Sequence, residues 1–157
     1  MKTSNIILGE DVFIDPSTSF NNVKIGKGVK IAKRCSIFGS AEYQLEIGDG
    51  TYIGMNTILN GYKAKLNIGK RVSIAQNVNI MVDSGPNASP EMQKIYPIIE
   101  GEITIGDDSW IGANVVIMPN VKLGKFCVVA ANSFVNKNFD DYSLIAGTPA
   151  RFIKKIK

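Results

Sequence analysis

Histidine is absent from the 157 residues of this chain, and cysteine occurs only twice. A chain without histidine cannot build a histidine-ligated zinc site or a Ser-His-Asp triad, and it lacks the commonest general base at neutral pH. Cys35 and Cys127 form no CxxC motif, and without a secretory signal they do not indicate a disulfide framework. We therefore predict no metal site and expect both thiols to have packing roles.

Long apolar runs are absent as well. The Met1–Ile7 start contains none, so the sequence predicts neither a signal peptide nor a membrane span, and we expect a cytoplasmic protein. The net charge is +4, and four cations stand in the last seven residues: Arg151, Lys154, Lys155 and Lys157. Because this basicity is local, it predicts a small anion, and not nucleic acid, as the partner of the tail.

The chain contains a repeat of six residues. Neither helical nor simple strand periodicity produces an aliphatic residue at every sixth position. The recurring positions are Leu8, Ile14, Ile25, Ile31, Ile37, Ile47, Ile53, Leu59, Ile68, Ile74, Ile80, Ile105, Ile111, Ile117, Leu123, Val129 and Val135. The residue that follows is usually Gly or Ala, and a small or β-branched residue stands four places on. This pattern predicts short strands with a tight bend at each end, whose aliphatic side chains share one core.

Three such strands would close one triangular coil, and about six coils can be counted in a single all-β domain over residues 1–157. We expect turn-forming backbone at Gly28, Gly50, Asn56, Asn77, Asn114, Asn120 and Asn132. The period is interrupted only on the third strand of a coil, at Phe38–Glu46, Asn60–Asn67 and Asp83–Glu102. We predict loops stacked on one side, of which the longest, at 83–102, is either a functional excursion or a disordered bulge.

Two motifs add to the repeat, "ITIGDDSWIGANVVIMPNVKLG" at 103–124 and "DYSLIAGTPARFIKKI" at 141–156. With them the chain resembles the hexapeptide-repeat acyltransferases, in particular the galactoside and maltose O-acetyltransferase branch, over almost its whole length. The resemblance implies a left-handed parallel β-helix with a short C-terminal tail. It also implies acetyl-CoA as co-substrate, and a homotrimer with active sites between adjacent subunits.

The resemblance further implies which residues bind coenzyme A along the C-terminal coils. Carried over by motif, they are Trp110, Ala113, Ala131, Asn136, Lys137, Arg151 and Lys154. A small side chain at Ala131 would let a slender ligand approach the backbone, and Arg151 and Lys154 suit phosphate oxygens. Trp110 as a shield for a strand, and the two cations as solvated charges, remain as alternatives.

One family feature is missing. In the galactoside-type enzymes a histidine followed by proline begins the long loop and deprotonates the acceptor hydroxyl, but the register from Ile80 places Gly85 there, before Pro86. Without a base an alcohol reacts slowly, whereas a free amine attacks unaided, so an amine acceptor is preferred. Asp83 is our candidate catalytic residue, as an orienting group or weak base, with a loop cap as the alternative.

The acceptor-binding candidates are Asn56 and Asn60, because the family's polar acceptor positions fall on glycines in this chain. Asn56 also has the simpler interpretation of a turn residue.

Two functions remain open. The first is an acetyl-CoA-dependent acyltransferase that acts on the amine or hydroxyl of a sugar or sugar nucleotide, as in cell-surface polysaccharide biosynthesis. The second is a catalytically inactive homologue that serves as a binding or scaffold subunit. A γ-class carbonic anhydrase would need three histidines for zinc, and the composition excludes it.

Overall fold

The computed structural model describes residues 4–157, in which short strands form three parallel sheets around one core. Strands are numbered in chain order. Sheet A contains β1 (Ile6–Leu8), β4 (Val23–Ile25), β7 (Leu45–Ile47), β10 (Leu66–Ile68), β15 (Ile103–Ile105) and β18 (Lys122–Leu123). Sheet C contains β3 (Ser19–Asn21), β6 (Ser36–Phe38), β9 (Ile58–Asn60), β12 (Asn79–Met81), β17 (Val116–Ile117) and β20 (Phe134–Val135).

Sheet B has eight strands and includes the C-terminal end of the chain. They are β2 (Phe13–Ile14), β5 (Lys30–Ile31), β8 (Tyr52–Ile53), β11 (Ser73–Ile74), β16 (Trp110–Ile111), β19 (Val128–Val129), β21 (Ser143–Gly147) and β22 (Ala150–Lys155). The chain visits sheets A, B and C in turn, so six stacked coils form the predicted left-handed β-helix. We call the bends between sheets the A–B, B–C and C–A corners.

The aliphatic positions of the repeat form the core as predicted from the second coil onward. In the first coil the prediction is wrong for Leu8, which is 47% exposed, and Ile14 is only partly buried, because no coil stacks on their outer side. In sheet A, for example, Ile25, Ile47, Ile68 and Ile105 lie in register on neighbouring strands, and each is at most 3% exposed. Sheets B and C hold equivalent columns through Ile74 and Ile80. Full burial of such a side chain stabilises the fold by about 1.5–3 kcal/mol, so the stacked columns account for the choice of residue at every sixth position.

All seven predicted turn residues have a positive φ, between 58° and 71°. The corners also place other residue types in this left-handed region, among them Arg34, Arg71, Phe126 and Tyr142. The predicted packing role of the cysteines is confirmed, because Cys35 and Cys127 are buried at corners. Burial raises the pKa of both thiols, which keeps them protonated and unreactive.

The long excursion is ordered and departs from a purely β structure. It leaves the C–A corner as an antiparallel pair, β13 (Asp83–Ser84) with β14 (Ile99–Glu100), and holds α1 (Pro90–Ile95) at its tip. The Oγ of Ser89 caps this helix by accepting a hydrogen bond from the N–H of Met92. We call residues 83–102 the arm.

The predicted short C-terminal tail is itself folded against the last coil. β21 adds to sheet B beside β19, and β22 folds back antiparallel on β21 after a cis Thr148–Pro149 peptide bond. Residues 4–157 include no helix with the length and apolarity needed to span a bilayer.

Candidate functional site

The B–C corner of the last two coils brings Ala113 and Ala131 together. The carbonyl of Ala113 accepts a hydrogen bond from the N–H of Asn132, and the Asn114 side chain donates to that of Asn132. Within residues 4–157 the N–H groups of Ala113 and Ala131 have no acceptor. These two amides, each beside a methyl side chain only, are free to bind a slender polar ligand.

Arg151 lies at the same corner, because it pairs with Ala146 where β21 runs toward Thr148. Its Nη1 donates only to the carbonyl of Ala150, at 3.1 Å, and it contacts no carboxylate of the described chain. Lys154 pairs with Leu144, in the same column of sheet B as Trp110, which is 57% exposed. Ala113, Ala131 and Arg151 therefore share the B–C corner, and Trp110 and Lys154 lie on the adjoining face of sheet B. Neither cation has an acidic partner among residues 4–157.

The C–A corner brings Asn60 and Asp83 together as a polar pair. Asn60 ends β9, one coil before the coil from which the arm leaves, and its Nδ2 donates to Oδ1 of Asp83 at 3.1 Å. Its own Oδ1 accepts the N–H of Tyr62 at 3.1 Å, so both ends of the amide are fixed. Oδ2 of Asp83 accepts no hydrogen bond from the described chain and can accept one from a bound amine or hydroxyl.

The base of the arm adds a second carboxylate to this corner. Glu100 lies directly opposite Asp83 in the antiparallel pair, so their side chains leave the same face. An open groove of about 500 Å³ runs from Glu100 along the two shorter loops, past Glu42, Tyr43, Tyr62 and Lys63. Glu42 accepts the hydroxyl of Tyr43, and this bond, with the charges of Glu42 and Glu100, raises the pKa of Tyr43.

Gly85 packs tightly inside the arm. A Cβ at this position would lie 2.7 Å from both Cα and Cγ1 of Ile98. Because Cα cannot move without the backbone, the arm in this conformation has no room for a larger residue at position 85. The structure thus gives a steric reason for glycine where the resemblance places histidine.

Three predicted residues lie elsewhere. Asn56 belongs to the B–C corner, where its Oδ1 accepts from Nε of Arg34 at 3.0 Å, so the structure does not bring it to Asn60. Asn136 and Lys137 follow β20 at the C–A corner, away from Ala131, and Nζ of Lys137 lies 5.6 Å from the ring centroid of Phe139. The sequence predicted the turn conformation of Asn56. It did not predict the corner at which Asn136 lies, because that depends on where each coil bends.

The structure also shows residues that sequence reasoning missed. Tyr62 and Glu100 border the Asn60–Asp83 pair, but both lie in segments that interrupt the repeat, so no period marks them. Among residues 4–157 no group of three or more His, Cys, Asp or Glu side chains is arranged to hold a metal ion.

Comparison with known proteins agrees with the fold. Residues 102–137 match the family model "Bacterial transferase hexapeptide (six repeats)". The chain is 32% identical to galactoside O-acetyltransferase of Escherichia coli K12 over 150 residues, which are 95% of this chain and 63% of that enzyme. It spans less than two thirds of the length of the curated relatives that it matches.

Two solved structures are similar along almost the whole chain. A hexapeptide-repeat-containing acetyltransferase from Vibrio cholerae is 30% identical, with a TM-score of 0.68, over 96% of this chain and 74% of that one. AntD, an N-acyltransferase from Bacillus cereus in complex with dTDP and 3-hydroxybutyryl-CoA, is 25% identical, with a TM-score of 0.84, over 98% and 84% of the two chains.

Proposed function

The chain belongs to the hexapeptide-repeat transferase family, and from this premise we propose that it transfers an acyl group, most simply acetyl, from coenzyme A to a sugar, with an amine preferred to a hydroxyl. The observation that carries the proposal is the B–C corner, where two backbone amides beside alanines have no acceptor among residues 4–157. Arg151 lies at this corner and Lys154 on the adjoining face of sheet B, and neither cation has an acidic partner within the described chain. Backbone amides suit the carbonyl groups of the pantetheine arm, and the cations of Arg151 and Lys154 suit the phosphates of coenzyme A.

The acceptor would bind at the C–A corner. In our proposal Oδ2 of Asp83 accepts a hydrogen bond from the acceptor amine and aims the nitrogen lone pair at the thioester carbonyl carbon. A C–N bond forms as the C–S bond breaks, and coenzyme A leaves as a thiolate. The nitrogen loses its proton after attack, and this proton ends on the thiolate sulfur, so the products are an amide and the free thiol of coenzyme A. Positioning alone can supply a large part of such an acceleration.

The amine preference follows from what the corner contains. Within residues 4–157, the ionisable side chains that face each other at the base of the arm are those of Asp83 and Glu100. Both are carboxylates, which are weak bases for deprotonating an alcohol. AntD, the similar protein described as an N-acyltransferase, supports nitrogen as the acceptor atom. No observation in the structure favours the alternative of an inactive scaffold subunit.

Assembly belongs to the same proposal. The cofactor residues at the B–C corner and the Asn60–Asp83 pair at the C–A corner lie on opposite edges of sheet C. One chain cannot close both around one reaction centre, so we propose a homotrimer in which adjacent subunits supply the two halves. A cytoplasmic location stays a prediction.

The test is an assay of thiol release from acetyl-CoA with methyl glycosides of glucosamine and of glucose. We expect transfer to the amine, with kcat/KM rising with pH until the free amine predominates, and a strong loss in Asp83→Asn but not in the control Glu102→Gln. Efficient transfer to the hydroxyl sugar with a pH profile that needs one enzyme group near neutrality would contradict the amine preference. Binding of coenzyme A without transfer to either sugar would favour the inactive homologue.

A further inference from the structure

A small cavity of about 230 Å³ lies on the outer face of sheet C, near the N-terminal end of the β-helix. Strands β3 and β6 form its floor, and Gly39 and Tyr62 border it. Because Ile37 points into the core, the outer side chains are Ser19, Asn21, Ser36 and Phe38. The cavity thus combines two aromatic rings with hydroxyl and amide groups.

Asn22 lines the same cavity and contains an unsatisfied polar atom. Its side chain is 9% exposed, and its Oδ1 is buried without a hydrogen-bond partner among residues 4–157. The backbone of Asn22 is fixed, because its N–H donates to the carbonyl of Ser4 and its carbonyl accepts from Leu45. A buried acceptor of this kind destabilises the protein unless a donor reaches it, and a ligand hydroxyl or N–H in the cavity could be that donor.

The cavity adjoins the candidate acceptor site through Tyr62. Asn21, Phe38 and Asn60 lie in register in one outer column of sheet C, so Asn60 stands about 9–10 Å from Asn21, two strand spacings away. Tyr62 borders both the cavity and the groove at the arm, and its N–H donates to Asn60. An acceptor held by Asp83 can therefore extend past Tyr62 into the cavity.

Charge decides which chemical class fits. Among the described lining residues there is no Lys, Arg, Asp or Glu, and the connecting groove contains one cation, Lys63, against Glu42 and Glu100. A nucleoside diphosphate would bring two negative charges to this path without cations to receive them. An uncharged sugar ring suits it better, since its C–H face can pack on Phe38 and Tyr62 while its hydroxyls reach Asn22 and the serines.

We propose that this cavity binds an uncharged sugar ring of the acceptor, adjacent to the ring that is acylated. The proposal rests on the proposed acyl transfer and narrows its substrate class to a glycoside of at least two rings. Since 230 Å³ is below the usual size of a whole-ligand pocket, the cavity takes one ring and not a complete substrate.

The experiment follows binding directly, with methyl β-lactoside and methyl β-maltoside as probes and thymidine diphosphate as the charged comparison. We expect saturation transfer to at least one disaccharide at millimolar concentration and shifts of the Asn22 side-chain amide and the Gly39 N–H. Tyr62→Ala and Asn22→Gly, which preserves the left-handed backbone at φ 50°, should each weaken binding by about three- to ten-fold. The matched control is Tyr52→Ala on sheet B, which should change nothing.

Coenzyme A binding, measured on the same samples, separates the two proposals. Sugar-induced shifts at Asn22 without coenzyme A binding would support the sugar site in the cavity and contradict the proposed acyltransferase activity. Coenzyme A binding with no shift from either disaccharide, or with shifts only from thymidine diphosphate, would overturn the sugar subsite and leave the acyltransferase standing. If Asn22→Gly does not fold, an unchanged affinity in Tyr62→Ala is sufficient to refute the proposal.

Discussion

Three glycines at the A–B corner show how the stacking of coils dictates single residues. Each is faced by an aspartate of the next coil: Gly26 by Asp49, Gly69 by Asp107 and Gly124 by Asp141. The Oδ1 of Asp107 accepts the N–H of Lys70 at 2.8 Å, and the other two aspartates make the same bond one residue after their glycines. The aspartate of the next coil can approach this N–H only because the glycine that precedes the N–H in the chain has no side chain.

Gly69→Ala should therefore destabilise the protein. A Cβ there would lie 2.5 Å from Oδ1 and 2.8 Å from the backbone nitrogen of Asp107, so the coils must separate locally or the bond must break. We expect a loss of about 1–3 kcal/mol in the free energy of unfolding, measured by urea denaturation. Gly28→Asn is the control, at a left-handed corner with open space around it, and a loss of the same size there would refute the steric explanation.

Arg71 and Asp108 form an ion pair with two hydrogen bonds, Nε to Oδ1 at 2.7 Å and Nη2 to Oδ2 at 3.0 Å. The hydrogen bond to Arg71 lowers the pKa of Asp108 below its ordinary value of 3.8. A lowered carboxyl pKa contributes stability that is present above the unfolded pKa and is lost as the pH falls through the folded one.

Asp108→Asn should consequently lower the unfolding midpoint at neutral pH by a small amount, because the pair is at the surface. The difference from the native protein should disappear as the pH falls below 3.8. Thermal unfolding from neutral to acid pH checks this. A difference that stays constant over that range would show that the pair contributes nothing through charge.

Arg151→Ala should weaken coenzyme A binding by roughly 1–3 kcal/mol through loss of a charge-assisted phosphate contact. Calorimetry at low and high salt measures this affinity. Added salt should weaken coenzyme A binding to the native protein more than binding to the variant. Lys30→Ala removes an exposed cation of the same sheet in the N-terminal coils and is the control. Equal affinities of Arg151→Ala and native protein would place the phosphates elsewhere.

At the scale of elements, the arm depends on the contact between Gly85 and Ile98. Gly85→His should displace this contact and loosen the arm instead of supplying a base, because the added side chain meets the Ile98 backbone. Hydrogen exchange over residues 83–102 should accelerate in this variant while the sheets keep their protection. Gain of transfer to a hydroxyl sugar with an unchanged exchange pattern would contradict this steric interpretation.

The elements that sequence could predict are those that follow from local periodicity. Aliphatic columns and asparagine corners repeat every six residues, so their places did not depend on the rest of the chain. Corners at Arg71 and Phe126 could not be predicted in this way, because stacking against adjacent coils holds these residue types in a left-handed conformation. The fold of β22 back onto β21 depends likewise on the free edge of sheet B.

The candidate site was predictable in part for the same reason. Asn60 and Asp83 stand at the starts of two interruptions of the repeat. Both interruptions follow strands of sheet C and so lie at the same corner, which means that the contact between the two residues could be predicted from the sequence. The helix α1 also had a local signal in Ser89 before Pro90. Tyr62 and the cavity beyond it depend on how loops fold on neighbouring coils, which no period encodes.

At the scale of the molecule, the outer faces of sheets A and C differ in character. The outer column of sheet A is polar from β4 onward, with Lys24, Glu46, Asn67, Thr104 and Lys122. From β9 onward, the outer positions of sheet C include the apolar residues Ile58, Met81, Val116 and Phe134. This part of sheet C lies between the two candidate half-sites and outside the cavity at Phe38, so its burial against another copy would bring complementary halves together.

A trimer of about three times 17.1 kDa is therefore expected by light scattering at micromolar concentration. Ile58→Glu on sheet C should dissociate the trimer, whereas Thr104→Glu on sheet A should not, because only the first places a charge in an apolar contact.

The shared site has a sharper test. Asp83→Asn impairs the acceptor half and Ala131→Trp obstructs the cofactor half, so each variant alone should be nearly inactive. When the two are unfolded and refolded together in equal amounts, random assembly joins two intact halves at roughly a quarter of the interfaces. Recovery of about that fraction of native activity is the expected result, and a mixture as inactive as its components would show that each subunit acts alone.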